Sequence, residues 1–376
     1  MAEILVDAMP RALSRCAVLT VVSGFMLLND MRGTALAQPS ADVIQDLEHA
    51  VAPSSDAACP DPSLYATSRP NPPGEPTVVG LGVFFQDLTA LNDADQTLDV
   101  DAYLIARWRD PRLAAASRGT SSAECPVPTG RLWMPQLEPE RLRSRQTFYP
   151  DRFLVDAEGV VTLVRRIFAK LSYPLDFRDF PFDRHDWTMT LWPVVAGPRE
   201  MIFHPLTRVT GIGERLSLQG WRVGAPRVQA GEGVRVGRSG TFARFDAVLG
   251  LERDWSYYAW KLGLPLTLIV LMAYGVYYIP TTAVPQQIGL GTTAMLTTVA
   301  YMLTLGSMLP KISYLTRADR FFVGCAVLVF IGLAKAVAAL ALAQGPKAHY
   351  IQLADRWGRA LYPLALLANA ALAFFA

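Results

Sequence analysis

Six residues of this 376-residue chain stand at a spacing that carries chemistry: Gly289, Thr293, Leu296, Ala300, Leu303 and Ser307 recur at steps of four, three, four, three and four. That spacing puts them on one stripe of a helix. The stretch around them, residues 285–310, carries no charge and is long enough to cross a bilayer, which takes roughly 20 residues. Small and hydroxyl residues lie toward its first end and Leu296 stands at mid-depth. Two uses fit such a stripe. Small residues let membrane helices approach closely. Alternatively the stripe is a pore wall, with hydroxyls meeting water and a ring of leucines closing the path by dewetting when several copies surround an axis. Spacing alone leaves both open, and packing is the simpler of the two.

The elements that must position this stripe follow from composition. The average of 51% hydrophobic and 18% charged residues hides two unlike halves. Up to Asp254 polar and apolar residues alternate among many prolines and glycines, whereas beyond Trp255 the only acids are Asp319 and Asp355. The expected architecture is an all-β, immunoglobulin-like sandwich over residues 77–254 followed by a four-helix transmembrane bundle over residues 255–376, an α+β multidomain membrane protein. The expected spans are 255–278, 285–308, 321–343 and 357–376. At the amino terminus Arg11 and Arg15 precede the apolar run 16–28, and Ala35 and Ala37 supply small residues before Gln38. This reads as a signal peptide over 1–37, followed by a lead-in over 38–76. The sandwich is then exported, although Lys and Arg around the spans do not cleanly set the orientation. Of the four cysteines, Cys59 and Cys125 fall in the exported part, where pairing stays open, and Cys325 falls in the third span.

Within the sandwich the clearest strand is residues 97–108, where Leu98, Val100, Ala102, Leu104, Ala106 and Trp108 share one face and Asp99, Asp101, Tyr103, Ile105 and Arg107 the other. Similar patterns recur over 160–171, 187–194 and 241–252. Between them stand Trp108-Arg109-Asp110-Pro111-Arg112-Leu113, Trp133-Met134-Pro135 and the apolar loop Phe180-Pro181-Phe182-Asp183. A loop that apolar must bury against something, and the linker 311–316 after the pore stretch is the expected surface.

W-x-D-x-R-L, W-x-P, F-P-F-D and four spans, in that order, resemble the pentameric ligand-gated ion channels, the Cys-loop receptor family, over residues 77–376. The pore stretch, P-x-x-I-G-L-G-x-T and then L-P-K-x-S-Y, is most similar to glycine and GABA receptors. The cysteines that name the family are replaced by Tyr173 and Trp187. That departure, and the short link over 344–355, resemble prokaryotic members and imply a bacterial inner membrane location. The resemblance implies a homopentamer in a lipid bilayer that conducts inorganic ions on binding a small-molecule agonist or protons, with the stripe from Gly289 to Ser307 lining the pore.

It also implies roles for residues. Pro285, Gln286 and Gln287 occupy the selectivity end, where cation channels of the family hold an acidic ring. Neither that ring nor the arginine of glycine receptors, whose place is held by Gln287, is present. An anion-permeable or weakly selective pore is expected. Gating would pass through Phe180, Pro181, Phe182, Asp183, Arg253 and Lys311. Ligand would meet Tyr103, Trp133, Arg166, Trp192 and Phe242, although Val194 holds the place of the family's key tryptophan, which leaves an aromatic cage for an amine incomplete. Arg166 matches an arginine able to bind a carboxylate. No catalysis is expected: His49, His185, His204 and His349 lack metal spacing and no nucleophile signature occurs. No cofactor, metal or nucleic acid is expected. The alternative functions are a periplasmic sensor domain that signals through the membrane without conduction, or a cation-selective channel of the same family.

Overall fold

The computed structural model describes residues 63, 65–114, 123–126, 131–146, 151–155, 159–197, 200–235, 237–306, 312–342 and 348–375. The leader, Cys59, Ser307 and Lys311 lie outside them. Two compact units form: one holds most of the residues up to Glu252, and the other holds Arg253–Ala376 together with the loop Asp176–Asp183.

The first unit is a two-sheet sandwich. One sheet runs β10 (Gly211–Ile212), β1 (Thr77–Asn92), β2 (Thr97–Arg109), β7 (Val160–Ser172), β6 (Arg152–Val155) and β3 (Ala123–Pro126), with β9 (Met201–Pro205) on β1 and β5 (Leu142–Gln146) on β7. The other runs β11 (Trp221–Val223), β13 (Thr241–Arg253), β8 (Arg184–Pro193) and β4 (Leu137–Pro139), with β12 (Arg227–Val234) on β13. The alternating face of β2 is the reason for the core: Leu98, Val100, Ala102, Leu104, Ala106 and Trp108 are all buried. Phe85 of the first sheet meets Trp187 of the second edge-on at 6.2 Å, and Phe203 meets Phe245 at 6.5 Å, which locks the two inner faces together. The packed unit starts before β1. Tyr65 packs on Phe153, and Trp133 donates its N–H to the Ala66 carbonyl, so the end of the expected lead-in belongs to the sandwich.

The W-x-D-x-R-L stretch is a turn built on an ion pair between the buried Asp110 and the half-buried Arg112. Arg112 reaches back to Asp110 with both Nε and Nη2 at 2.8 Å and holds the Ser68 carbonyl at 3.0 Å. That carboxylate raises the Arg112 pKa further above its ordinary value. At the places where the resemblance puts cysteines, Tyr173 donates its hydroxyl to the Asp186 carbonyl at 2.7 Å. A hydrogen bond thus closes the loop 174–185 where a disulfide would.

The second unit holds α1 (Leu264–Tyr274), entered through a helical turn (Trp255–Tyr258) and a wide π-helical turn (Ala259–Gly263), then α2 (Val284–Gly306), α3 (Arg317–Leu342) and α4 (Ala348–Phe375). Among the described residues, two segments are long and apolar enough by themselves to cross a membrane, Trp255–Tyr277 and Arg317–Ala341. The third helix starts four residues before the expected 321 and the fourth nine before 357. The first shift is explained by a capping box: the Thr316 hydroxyl accepts the Asp319 N–H at 3.0 Å, and Asp319 accepts the Thr316 N–H at 2.9 Å. Besides Pro285 in the first turn of α2, two prolines sit in the helices, and each frees a carbonyl four residues earlier. For Pro265 that is the Lys261 carbonyl, which accepts from the Tyr301 hydroxyl of α2 at 3.1 Å. For Pro363 it is the Arg359 carbonyl, which accepts from the Tyr274 hydroxyl of α1 at 2.7 Å. A tyrosine from a neighbouring helix thus satisfies each freed group where water cannot.

Candidate functional site

On α2 the buried positions are Val284, Gln287, Gly291, Ala294 and Thr298. At about 100° per residue these centre on the side opposite the stripe. Gly289, Thr293, Leu296, Ala300 and Leu303 are all exposed, Leu296 by 71% and Leu303 by 74%. Thr292 and Val299 are exposed on one flank of the stripe, and Gln286, Thr297 and Thr304 on the other. The stripe therefore runs down the middle of an uncovered arc, the flanks of which are free to meet neighbouring copies. Thr293 spends its proton on the Gly289 carbonyl at 2.8 Å, as Thr297 does on Thr293. Toward the uncovered side these hydroxyls offer lone pairs.

Gln287 departs from the expectation for the selectivity end. It has no exposure at all; its amide donates to the Ile279 carbonyl at 2.7 Å and accepts from Lys335 at 3.2 Å. One residue along a helix turns the side chain by about 100°, so Pro285 and Gln286 are exposed while Gln287 faces the bundle.

The F-P-F-D loop packs among the helices. Asp183 and Arg253 are each 1% exposed. Arg253 donates from Nε to Asp183 Oδ1 at 2.8 Å and from Nη2 to Oδ2 at 3.0 Å, a fork-on-carboxylate geometry, and a third donor reaches the Tyr258 hydroxyl at 3.0 Å. The guanidinium also lies over the rings of Phe180 at 5.1 Å and Tyr258 at 5.6 Å. Phe180 and Pro181 are buried, and the half-open Phe182 meets Trp255 at 5.8 Å and Phe374 of α4 at 5.6 Å. The loop's main contact is the N-terminus of α3 more than the linker before it. There the orphan N–H groups that begin every helix donate to loop carbonyls: Arg317 to Arg178 at 3.0 Å and Ala318 to Phe180 at 3.2 Å. Arg317 also binds Asp179 at 2.8 Å and the Phe374 carbonyl at 2.7 Å. From the linker, Tyr314 accepts the Phe177 N–H at 3.0 Å. Arg317, Tyr314 and Asp179 carried no sequence signal as a group; the Thr316–Asp319 capping box was the readable part.

The expected ligand residues do not form one cage within the chain. Trp133 packs edge-on against Trp108 at 5.7 Å as part of the core. Arg166 corrects its expectation: opposite Tyr103 in register, it is forked onto Asp101 at 3.0 and 2.7 Å and lies over Tyr103 at 5.5 Å and Phe168 at 4.7 Å. Its charge already has a carboxylate. Trp192 is buried, donates to Glu140 at 3.2 Å and lies under Arg244 at 6.0 Å; Arg244 in turn is bound to the buried Asp246 at 2.9 Å. Phe242 is buried under Arg238 at 4.5 Å. Arg238 donates to the Val194 carbonyl at 2.8 Å and, among the described residues, has no carboxylate partner. The aromatic faces that a cationic ligand would seek are taken by the chain's own arginines. Sequence reasoning missed Arg244 and Asp101 because their placement depends on strand register, and Arg238 because it lies between β12 and β13.

Against this geometry, residues 63–206 match the family model of the neurotransmitter-gated ion-channel ligand binding domain. Residues 262–360 match that of the neurotransmitter-gated ion-channel transmembrane region. Extracellular sandwich and helical membrane region thus occur in one chain, which belongs to the Cys-loop family of pentameric ligand-gated ion channels and is not an enzyme.

Proposed function

We propose that five copies of this chain surround a pore lined by the exposed stripe of α2, that the Leu296 ring is its closed gate, and that a ligand bound at the sandwich opens it. The observation that carries this reading is the opposition on α2 between the uncovered stripe and a fully buried back. A stripe used for packing within the subunit would be covered; this one is left for water and for other copies. Coupling runs through the F-P-F-D loop, whose Asp183–Arg253 pair and contacts on α3 give ligand-driven shifts a route to the helices. Leu296→Ser should wet the ring and give channels that leak at rest in planar-bilayer recording. Rest conductance equal to that of the parent would remove Leu296 as the barrier.

The ligand this site favours is anionic. Tyr103, Trp192 and Phe242 each already have a guanidinium group over the ring, and that positive charge disfavours an ammonium group beside them. Arg238, whose side-chain partners among the described residues are the Val194 carbonyl and the Phe242 ring, is the group for a carboxylate. It bonds to Val194, the residue that holds the place of the family's key tryptophan. Among small carboxylates and amines applied in turn, carboxylates should evoke current, and Arg238→Gln should weaken the response at least tenfold, since a charge-assisted bond contributes about 1.5–3 kcal/mol. Current evoked by amines alone would contradict this.

Charge selectivity should be weak. The exposed end of α2 holds Pro285 and Gln286 with neither acid nor base, and the threonine protons that would favour anions are spent on the helix itself. What remains is the Gln286 amide, so chloride should pass with a modest preference over sodium. The location that goes with this assignment is a bacterial inner membrane.

A further inference from the structure

A lysine and an aspartate face each other among the membrane helices: Lys335 of α3 and Asp355 of α4 form an ion pair in which the side chains are 10% and 8% exposed. Bringing two charges out of water costs several kcal/mol per ion, and well-packed apolar residues would serve stability as well or better. Charges kept inside a membrane bundle are a pointer to function. What these charges reach is the pore helix. Lys335 donates to the side-chain Oε1 of Gln287 at 3.2 Å, and the side-chain Nε2 of Gln287 donates to the Ile279 carbonyl at 2.7 Å and the Pro280 carbonyl at 3.3 Å. The ring of Tyr277 lies 5.6 Å from the ammonium, and the Tyr277 carbonyl accepts from Arg359 of α4 at 2.9 Å.

We propose that Asp355, Lys335 and Gln287 form a relay that pins the first turn of α2 to α3, to α4 and to the link at Ile279 and Pro280, making Lys335 and Asp355 positioning residues for the pore although neither lies on the exposed stripe. Both ends of the Gln287 amide are engaged. The side chain stands about 5–6 Å from the helix axis, so turning this end of α2 by about 25° carries the amide roughly 2 Å and breaks both contacts. This end is therefore the pivot, and opening proceeds by tilt and rotation of α2 beyond it, where Leu296 and Leu303 lie. Through Asp355, α4 gains a grip on the pore helix.

The inference rests on the reading of α2 as the pore wall, and the test separates the two. The background is full-length Leu296→Ser channel in planar bilayers with sodium chloride on both sides, which needs no agonist. In it, Gln287→Met keeps the ion pair and cuts its link to α2. The double change Lys335→Met, Asp355→Leu removes both charges without leaving one buried alone. Each should shift the open-to-closed ratio about fivefold or more, in the same direction, as couplings between sites commonly do. Adding Gln287→Met to the double change should then do little more, because one chain of contacts is broken only once. Unchanged gating in Gln287→Met, or effects that simply add, would overturn the relay. Failure of Leu296→Ser itself to conduct would instead overturn the pore assignment.

Discussion

At the scale of single residues the strongest claim concerns Arg253. Its guanidinium is buried with Asp183, a tyrosine hydroxyl and two aromatic rings around it, so it is not a surface pair of negligible worth. Removing one partner of a buried pair costs about 3–5 kcal/mol, because the other charge is stranded. Arg253→Ala is expected to abolish or greatly weaken currents while ligand affinity, measured by equilibrium binding to the purified channel, stays within about tenfold. Full currents from the Arg253→Ala, Asp183→Ala double variant would show that the pair does not transmit gating. Both residues were legible from the F-P-F-D motif and from the position of the arginine before the first span. Arg166 was not. A sequence shows an arginine on a strand, but its partner Asp101 lies on the neighbouring strand, 65 positions away, and only the register of β2 on β7 brings the two together.

At the scale of elements, α2 shows what periodicity can and cannot reach. The stripe was readable because 3.6-residue spacing fixes which side chains share a face. Which face is outward was not, since that is decided by α1 and α3. Gln287 is the instructive case: it sits one residue from Gln286, yet Lys335, 48 positions on, holds it inward. The starts of α3 and α4 were missed for a different reason, because residues 317–320 and 348–356 are polar and look like linker although they are helical. Selectivity also belongs at this scale, because it depends on which side chains of the first turn of α2 are presented. Gln286→Glu would place one carboxylate per copy at that end and should move the reversal potential in a sodium chloride gradient from the chloride side of zero toward the sodium limit. A parent channel that already reverses at the sodium limit would mean that selectivity is set away from α2.

At the scale of the whole molecule, the sandwich and the bundle were each readable in outline from alternation and hydropathy, because burying a sheet face or crossing a bilayer constrains many residues at once. The loop 176–183, which clusters with the helices although it links two strands of the sandwich, follows from an apolar tip that finds a helix N-terminus to cap. The account stands on α2 presenting one face to a shared water-filled path. The most direct test is the reaction of single cysteines with a charged, water-borne thiol reagent during bilayer recording, since Cys325 is buried. Thr293→Cys, Leu296→Cys and Ala300→Cys channels should be blocked rapidly, while Ala294→Cys and Thr298→Cys channels should be untouched. Block at Ala294 and Thr298 with none at Thr293 and Ala300 would contradict the assignment of the pore face.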